Sequence, residues 1–441
     1  MFNLKSKMSA LLAALLCAGT ALAQDSGPLI DLLVKKGLIN DQEAEDIRAD
    51  LVKDFAATSA GKLNLSAPLT EFKIAGDVRA RFESRAGQLP SGDNSERDRF
   101  RYRFRTGLSG KVLNNWAFGV RLETATGSRS SNVTMGDDAG PFAKTSDTLN
   151  VGQIWLQYAP TPELTFGVGR MANPLVTTAM VWDADINPEG FSEQFKRRVD
   201  KLEYSITAAQ FLYSAASTQN TFGATAKVQD LYLFAWQGGL KYYQEGTTTF
   251  FQINPTIYQY VQNNKYNPAA FKGAFTATTT AAINNLFVVD LPVEYDWVSN
   301  GVPMRVFGDF AINLDGKDRA RKWDSTRTDL GSEDKAWQVG LQYGKAANKG
   351  EWDAKVYYQS VGAFALDPNL VDSDIFDSKT NMQGWVVSGN YALGAATTFT
   401  LTLGNGERKN SSIIAPGAGD IGSNNALDKY WVLQADLVLK F

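Results

Sequence analysis

The sequence predicts an all-β fold: one transmembrane antiparallel β-barrel of about 16 strands, preceded by a short helical segment. Three observations predict it. Sixteen segments alternate apolar and polar residues with period two. Their connections divide into tight turns and long loops. The last segment places Trp431, Leu433, Ala435, Leu437, Leu439 and the C-terminal Phe441 on one face.

Composition narrows the function. The 441 residues hold 44 Lys+Arg, 47 Asp+Glu, one Cys and no His. Without imidazole there is no Ser-His triad and no His-ligated zinc. Cys17 lies in a segment expected to be removed, so the mature chain has neither a disulfide nor a Cys-ligated metal. A net charge of −3 gives no basic footprint for nucleic acid. No motif calls for a cofactor, and nothing marks a catalytic carboxylate pair, so no enzyme is expected.

The chain opens with Lys5 and Lys7, the apolar run Met8–Leu16 and the small-x-small site Ala21-Leu22-Ala23. Residues 1–23 therefore read as a cleaved signal peptide for export through the inner membrane. The loss of two Lys leaves 42 basic against 47 acidic groups, or −5. After Gln24 no apolar stretch reaches the roughly 20 residues of a membrane helix. Membrane insertion then requires a closed barrel, because only helices and barrels satisfy their backbone in lipid.

Residues 24–71 read as a periplasmic helical appendage and linker. Pro28 with Leu29, Ile30, Leu32 and Leu33 starts one helix, which Gly37 stops. Asn40 caps a second, with Glu43 three residues on as in a capping box. Ala44, Ile47, Leu51 and Phe55 form its apolar stripe. The stripe suits either a solvated spacer or an oligomerisation element.

The strands follow. In 72–82, Phe72, Ile74, Val78, Ala80 and Phe82 alternate with Lys73, Asp77, Arg79 and Arg81. Residues 99–105 set Arg99, Arg101, Arg103 and Arg105 against Phe100, Tyr102 and Phe104. Further segments lie at 116–124, 149–158, 164–170, 191–197, 201–212, 230–243, 248–260, 286–297, 303–313, 336–344, 351–360, 383–393, 397–405 and 428–441. Tight turns lie at 113–115, 159–163, 299–302, 345–350 and 394–396, and long polar loops at 85–98, 125–148, 171–190, 213–229, 261–285, 314–335, 361–382 and 406–427. Trp and Tyr are expected in girdles at both interfaces.

Across residues 28–441 the chain resembles the bacterial putative-porin family, and more loosely the phosphate-type porins. The resemblance is carried by Leu32-Leu33-Val34-Lys35-Lys36-Gly37-Leu38, the Arg-x-Arg-x-Arg-x-Arg strand and Gly167-Val168-Gly169-Arg170. The loop Trp182-Asp183-Ala184-Asp185-Ile186-Asn187-Pro188-Glu189-Gly190 and the terminal Phe441 complete it. It implies an outer-membrane porin, with Phe441 read by the barrel-assembly machinery.

Sixteen strands enclose an aqueous channel. The 171–190 loop is expected to fold inward and bring Asp183, Asp185 and Glu189 opposite a basic wall of Arg79, Arg81, Arg99, Arg101, Arg103, Arg105 and Arg121. Asp77, Glu83 and Glu123 can neutralise part of that wall, and four alternating Arg on one strand are not expected all to find neighbours. The expected function is passive diffusion of small hydrophilic solutes and ions, with mild anion preference. The competing reading is a non-conducting surface barrel acting as adhesin or envelope anchor. Outer-membrane lipid, lipopolysaccharide and further copies in a homotrimer are the expected partners. Asp315-Gly316-Lys317-Asp318 and the group Asp367, Asp372, Asp374 and Asp377 are candidate rim sites for divalent ions, without EF-hand spacing.

Overall fold

A computed structural model describes residues 33–36, 40, 42–47, 50, 66, 68–125, 130–136, 148–214, 230–261, 286–413, 420–421 and 427–441. The proposed signal peptide, the stripe positions Leu51 and Phe55, and the 213–229 and 261–285 loops lie wholly or mostly outside them. The chain divides into two compact units, Met1–Leu69 and Thr70–Phe441. In the first, residues 33–35 and 42–47 are helical. The capping box forms: the Asn40 amide donates to Glu43 Oε2 (2.9 Å) and the Glu43 amide to Asn40 Oδ1 (2.8 Å).

In the second unit every described segment of strand belongs to one sheet. The spanning strands are β1 (Leu69–Gln88), β2 (Asn94–Val112), β3 (Trp116–Ala125), β4 (Thr148–Tyr158), β5 (Leu164–Arg170), β6 (Glu189–Val199), β7 (Leu202–Ser214) and β8 (Leu231–Tyr243). Next come β9 (Phe250–Ile253 with Thr256–Val261), β10 (Phe287–Asp290 with Val293–Ser299), β11 (Val302–Asn313) and β12 (Lys335–Gly344). The last four are β13 (Trp352–Val361), β14 (Met382–Ala392), β15 (Thr397–Arg408) and β16 (Lys429–Lys440). Strands β9 and β10 are each interrupted at a proline, Pro255 and Pro292, which has no N–H for the ladder. Their carbonyls still accept, from Gly238 and Asn254 (both 3.0 Å). All sixteen alternating segments are strands.

The sheet closes on itself. β1 pairs antiparallel with β16 from Asp77 opposite Lys440 to Gln88 opposite Lys429. At the end of this seam Phe441 and Gly76 exchange backbone hydrogen bonds of 2.8 and 3.1 Å. Closure removes the free edges that an open sheet would have to protect.

Alternation decides which side is which. Phe100 is 61% exposed, while its neighbour Arg101 is 6% exposed. The outer surface is apolar, and its large aromatics gather in two belts. Trp116, Tyr242, Tyr343, Trp352 and Tyr391 lie toward the tight turns. Trp236, Trp337, Trp385 and Trp431 lie toward the long loops. Trp337 and Tyr343 on β12 are six residues apart, roughly 20 Å along the strand, which suits an apolar band of about 25 Å.

The 85–98 region differs from expectation. β1 and β2 run 20 and 19 residues and meet in a short turn at 89–93, held by Leu89 and Asp93. Charged Arg85, Glu96, Arg97 and Asp98 gave this stretch a loop-like composition. In the barrel Arg85 is buried among the counter-charges Glu83 and Asp377, so its polarity is compatible with strand.

Candidate functional site: the barrel lumen and its two inward loops

Same-face alternation aims Asp77, Arg79, Arg81, Glu83 and Arg85 of β1 into the barrel, beside Arg99, Arg101, Arg103 and Arg105 of β2. The bases are matched by acids from β1, from β16 and from three loops. Arg103 Nη2 and Arg105 Nε reach Asp77 at 2.8 and 2.7 Å. Arg99 Nε donates to Glu83 (2.7 Å), and the Arg99 guanidinium also pairs with Asp420 of the last loop. Arg101 lies 3.5 Å from Glu83, and Arg79 lies 3.9 Å from Asp436. Arg81 Nε donates to Asp436 (2.6 Å). Each of the four β2 arginines thus has a carboxylate within 4.0 Å, contrary to the sequence expectation. The physical reason is that β1 acids are shared: Asp77 serves Arg103 and Arg105, Glu83 serves Arg99 and Arg101, and loop acids add to them.

Besides the loop that carries Asp420, two further loops supply acids. The 171–188 loop folds inward and brings Asp185 within 3.8 and 3.6 Å of Arg103 and Arg105. The 362–381 loop contributes Asp374, 2.7 Å from Arg81 and 3.2 Å from Arg85, and Asp377, 2.8 Å from Arg85. The loops are joined to each other. The Asp183 amide donates to the Leu370 carbonyl (2.6 Å), and the Asp372 amide to that of Ala179 (3.1 Å). Ser373 donates to Asp183 Oδ2 through its amide (3.1 Å) and hydroxyl (2.9 Å). On the opposite wall Gln237 exchanges two hydrogen bonds with Val176 (both 2.9 Å), Thr178 donates to Asp309, and the Tyr213 and Tyr260 hydroxyls donate to Asp367.

The predicted acidic trio therefore separates. Asp185 opposes the basic wall. Asp183 joins the loops, because its carboxylate is taken by Ser373. Glu189 is the first residue of β6, directly after the loop, and pairs with exposed Arg170. Arg121 pairs with Glu123 on its own strand at 2.8 Å. The acids read as a rim cation site do other work: Asp367 accepts from two tyrosines, while Asp374 and Asp377 hold arginines. Among the described residues no group of three or more acids is placed to hold a metal. Gly316 begins a helix, Gly316–Trp323, with Asp315 before it.

Beside the charged wall lies an apolar patch that the sequence reading missed. Met180, Val181 and Trp182 of one loop and Leu366, Leu370 and Val371 of the other pack on Phe211, Leu231, Leu233 and Val288. The signal was present: both loops, read as polar, contain apolar runs (Ala179-Met180-Val181-Trp182 and Ala363-Phe364-Ala365-Leu366). Burying them inside the barrel fixes the loops across the lumen. Toward the turns lies a cavity of about 260 Å³ lined by Thr178, Glu294, Arg305, Gln342, Lys355 and Tyr357 among others. Arg305 pairs there with Asp296 at 2.9 Å.

The family model described as "Putative porin" matches residues 76–287 and 262–410, most of the barrel. The chain belongs to this family. No curated protein matches it. Among solved structures the porin is similar to Pseudomonas putida OprB, with 10% identity, 84% of this chain and 94% of that one covered, and a TM-score of 0.50. An anion-selective porin from Comamonas acidovorans shares 11% identity over 84% of this chain and 99% of its own, with a TM-score of 0.45. A Rhodopseudomonas blastica porin shares 9% over 84% and 100%, with a TM-score of 0.42. At these identities OprB supports the barrel fold alone. Family and fold are those of an outer-membrane channel.

Loop charges in the porin respond to pH. Burial, reinforced by the charges of Asp183, Asp374 and Asp185, pushes the Asp372 carboxyl up to about 8. It is neutral below that value and gains a negative charge above it. The folded chain holds a proton that an unfolded Asp has already released, so the loop pair loses stability as pH rises from about 4 to about 8. Between about pH 6 and about pH 10 the zero-current potential in a salt gradient is expected to move toward cations. Asp372→Asn should flatten that movement; an unaltered pH profile in the variant would contradict the assignment.

Proposed function

We propose that the protein is a water-filled channel for passive diffusion of small hydrophilic solutes and ions, with mild anion preference near neutral pH. The observation that carries this reading is the charged inner wall of a closed 16-strand barrel whose outer face is apolar. The guanidinium wall of β1 and β2 and the acids of the joined loops oppose each other within the lumen and set a transverse field on passing solutes. The anion preference rests on unequal matching. Arg79 and Arg101 have their nearest carboxylates at 3.9 and 3.5 Å, and the Nε of each lacks a hydrogen-bond partner among the described residues. Asp372 is neutral at that pH. Residues 1–23 act as the cleaved export signal, residues 24–71 remain in the periplasm, Phe441 marks the chain for barrel assembly, and the barrel forms a homotrimer.

Proteoliposome swelling tests the reading. Vesicles carrying the refolded protein should swell in isosmotic small sugars, at rates falling with solute size. Swelling no faster than in protein-free vesicles would favour the adhesin or anchor. Changing Arg101 and Arg103 together to Gln should shift the zero-current potential toward cations, most clearly at low salt, where charges within a Debye length of about 10 Å or more act together. An unshifted potential would show that their neighbours neutralise them fully.

A further inference from the structure

We propose that Asp290 and Asp309 hold one divalent, calcium-class cation at the foot of the 171–188 loop. Asp290 ends the first half of β10, just before Leu291-Pro292, and lies opposite Ala311 of β11. Asp309, two residues before Ala311, is therefore its diagonal neighbour on the same face. Leu291 and Phe310 exchange backbone hydrogen bonds of 2.9 and 3.4 Å beside them, which fixes the approach. The carboxyl groups come within hydrogen-bonding reach of each other. Asp290 is 0% exposed and Asp309 is 4% exposed.

One oxygen of this pair is accounted for: Asp309 Oδ2 accepts from Thr178 Oγ1. Both oxygens of Asp290 and Oδ1 of Asp309 find no donor among the described residues. No lysine or arginine among those residues forms an ion pair with either acid. An independent observation points to the same spot. The Tyr258 hydroxyl, on adjoining β9, is buried without a hydrogen-bond partner, and its charged neighbours are Asp290 and Asp309. Three carboxylate oxygens and one hydroxyl thus share a buried space in which the nearest amides, those of Leu291 and Phe310, already donate to each other's carbonyls. Two uncompensated carboxylates in contact are too costly to bury.

The donor set selects the ion. A pair of carboxylates is balanced by a single doubly charged cation, and all donors are hard oxygens. Calcium accepts irregular, partly bidentate carboxylate geometry, whereas magnesium demands a near-octahedral shell. The cavity of about 260 Å³ is lined by Thr178, which donates to Asp309, and by Gly308, the residue before Asp309. Because Asp309 also accepts from Thr178, occupancy of the site fixes the loop at its anchor on this wall.

The test uses the full mature chain refolded in detergent free of lipopolysaccharide and treated with EDTA, so that lipid headgroups cannot supply the binding. Calorimetric titration with calcium chloride should show one ion per chain, and the thermal midpoint should rise with calcium concentration. Magnesium should act more weakly. Asp290→Asn and Asp309→Asn should each weaken calcium binding by more than about tenfold, while both variants keep the heat-modifiable mobility of a closed barrel. If one variant does not fold, the other and the parent titration decide. A parent that ignores calcium would overturn the site. So would one whose stability rises on acidification in a way that Asp290→Asn reproduces, because a shared proton would then hold the pair. Unchanged binding in a folded Asn variant would overturn it as well.

Discussion

Gly76→Val is expected to abolish barrel closure and leave almost no heat-modifiable protein after refolding. A Cβ at Gly76 would lie 2.3 Å from the Arg105 carbonyl oxygen and 2.6 Å from Cζ of the Phe441 ring. The ring could swing away, but the carbonyl is backbone of β2 and cannot. Gly76 also gives and takes the last two hydrogen bonds of the β1–β16 seam, so any shift there breaks the pairing that closes the sheet. Phe441→Ser separates assembly from stability. It removes the ring but keeps the backbone pair, so refolding into detergent should survive while outer-membrane levels in cells fall. Equal membrane levels for Phe441→Ser and parent would reject the assembly role. Normal folding of Gly76→Val would reject the seam geometry.

The second large effect is expected at Asp374. Its carboxylate lies between Arg81 and Arg85, both nearly fully buried. Burial opposes its charge, but Arg81, Arg85 and Arg79 outweigh this and hold the carboxyl well below the usual carboxylate range. Its stabilising contribution is therefore complete at any pH above that range and lost only in strong acid. Asp374→Ala should cost about 1–3 kcal/mol, less than an isolated buried pair, because Arg81 keeps Asp436 and Arg85 keeps Asp377. The larger consequence is functional. The 362–381 loop loses its hold on the basic wall, and two guanidinium groups lose a shared counter-charge. Unit conductance and anion preference should both rise, whereas Asp374→Glu should retain most of each. Unaltered conductance in Asp374→Ala would place the ion path elsewhere.

The barrel was legible because period two survives in every strand, and one face of each must meet an apolar surroundings. The helix cap was legible too, since Asn40 and Glu43 act locally. Contacts between distant loops were not. Asp374 and Asp420 lie in stretches that read as solvated loops, and only folding across the lumen brings them to Arg81, Arg85 and Arg99. The inward direction of the 171–188 loop followed from its charges, but its partner loop did not. Charge matching offered a clue: the inward arginines of β1 and β2 outnumber the acids on the same two strands, so some loop had to supply more. Glu189 was misplaced because the strand boundary falls one residue before Gly190, which leaves its side chain beside Arg170. Apolar runs in both loops were read past, although a loop rich in Met, Val and Trp has to bury them.

Recording current steps across a planar bilayer, with the purified protein added to one side, separates a conducting barrel from a closed one. Discrete, ohmic, long-lived steps are expected, absent without protein, larger in Asp374→Ala, and carried preferentially by anions near neutral pH. Insertion of folded barrel with no current steps would contradict the channel reading.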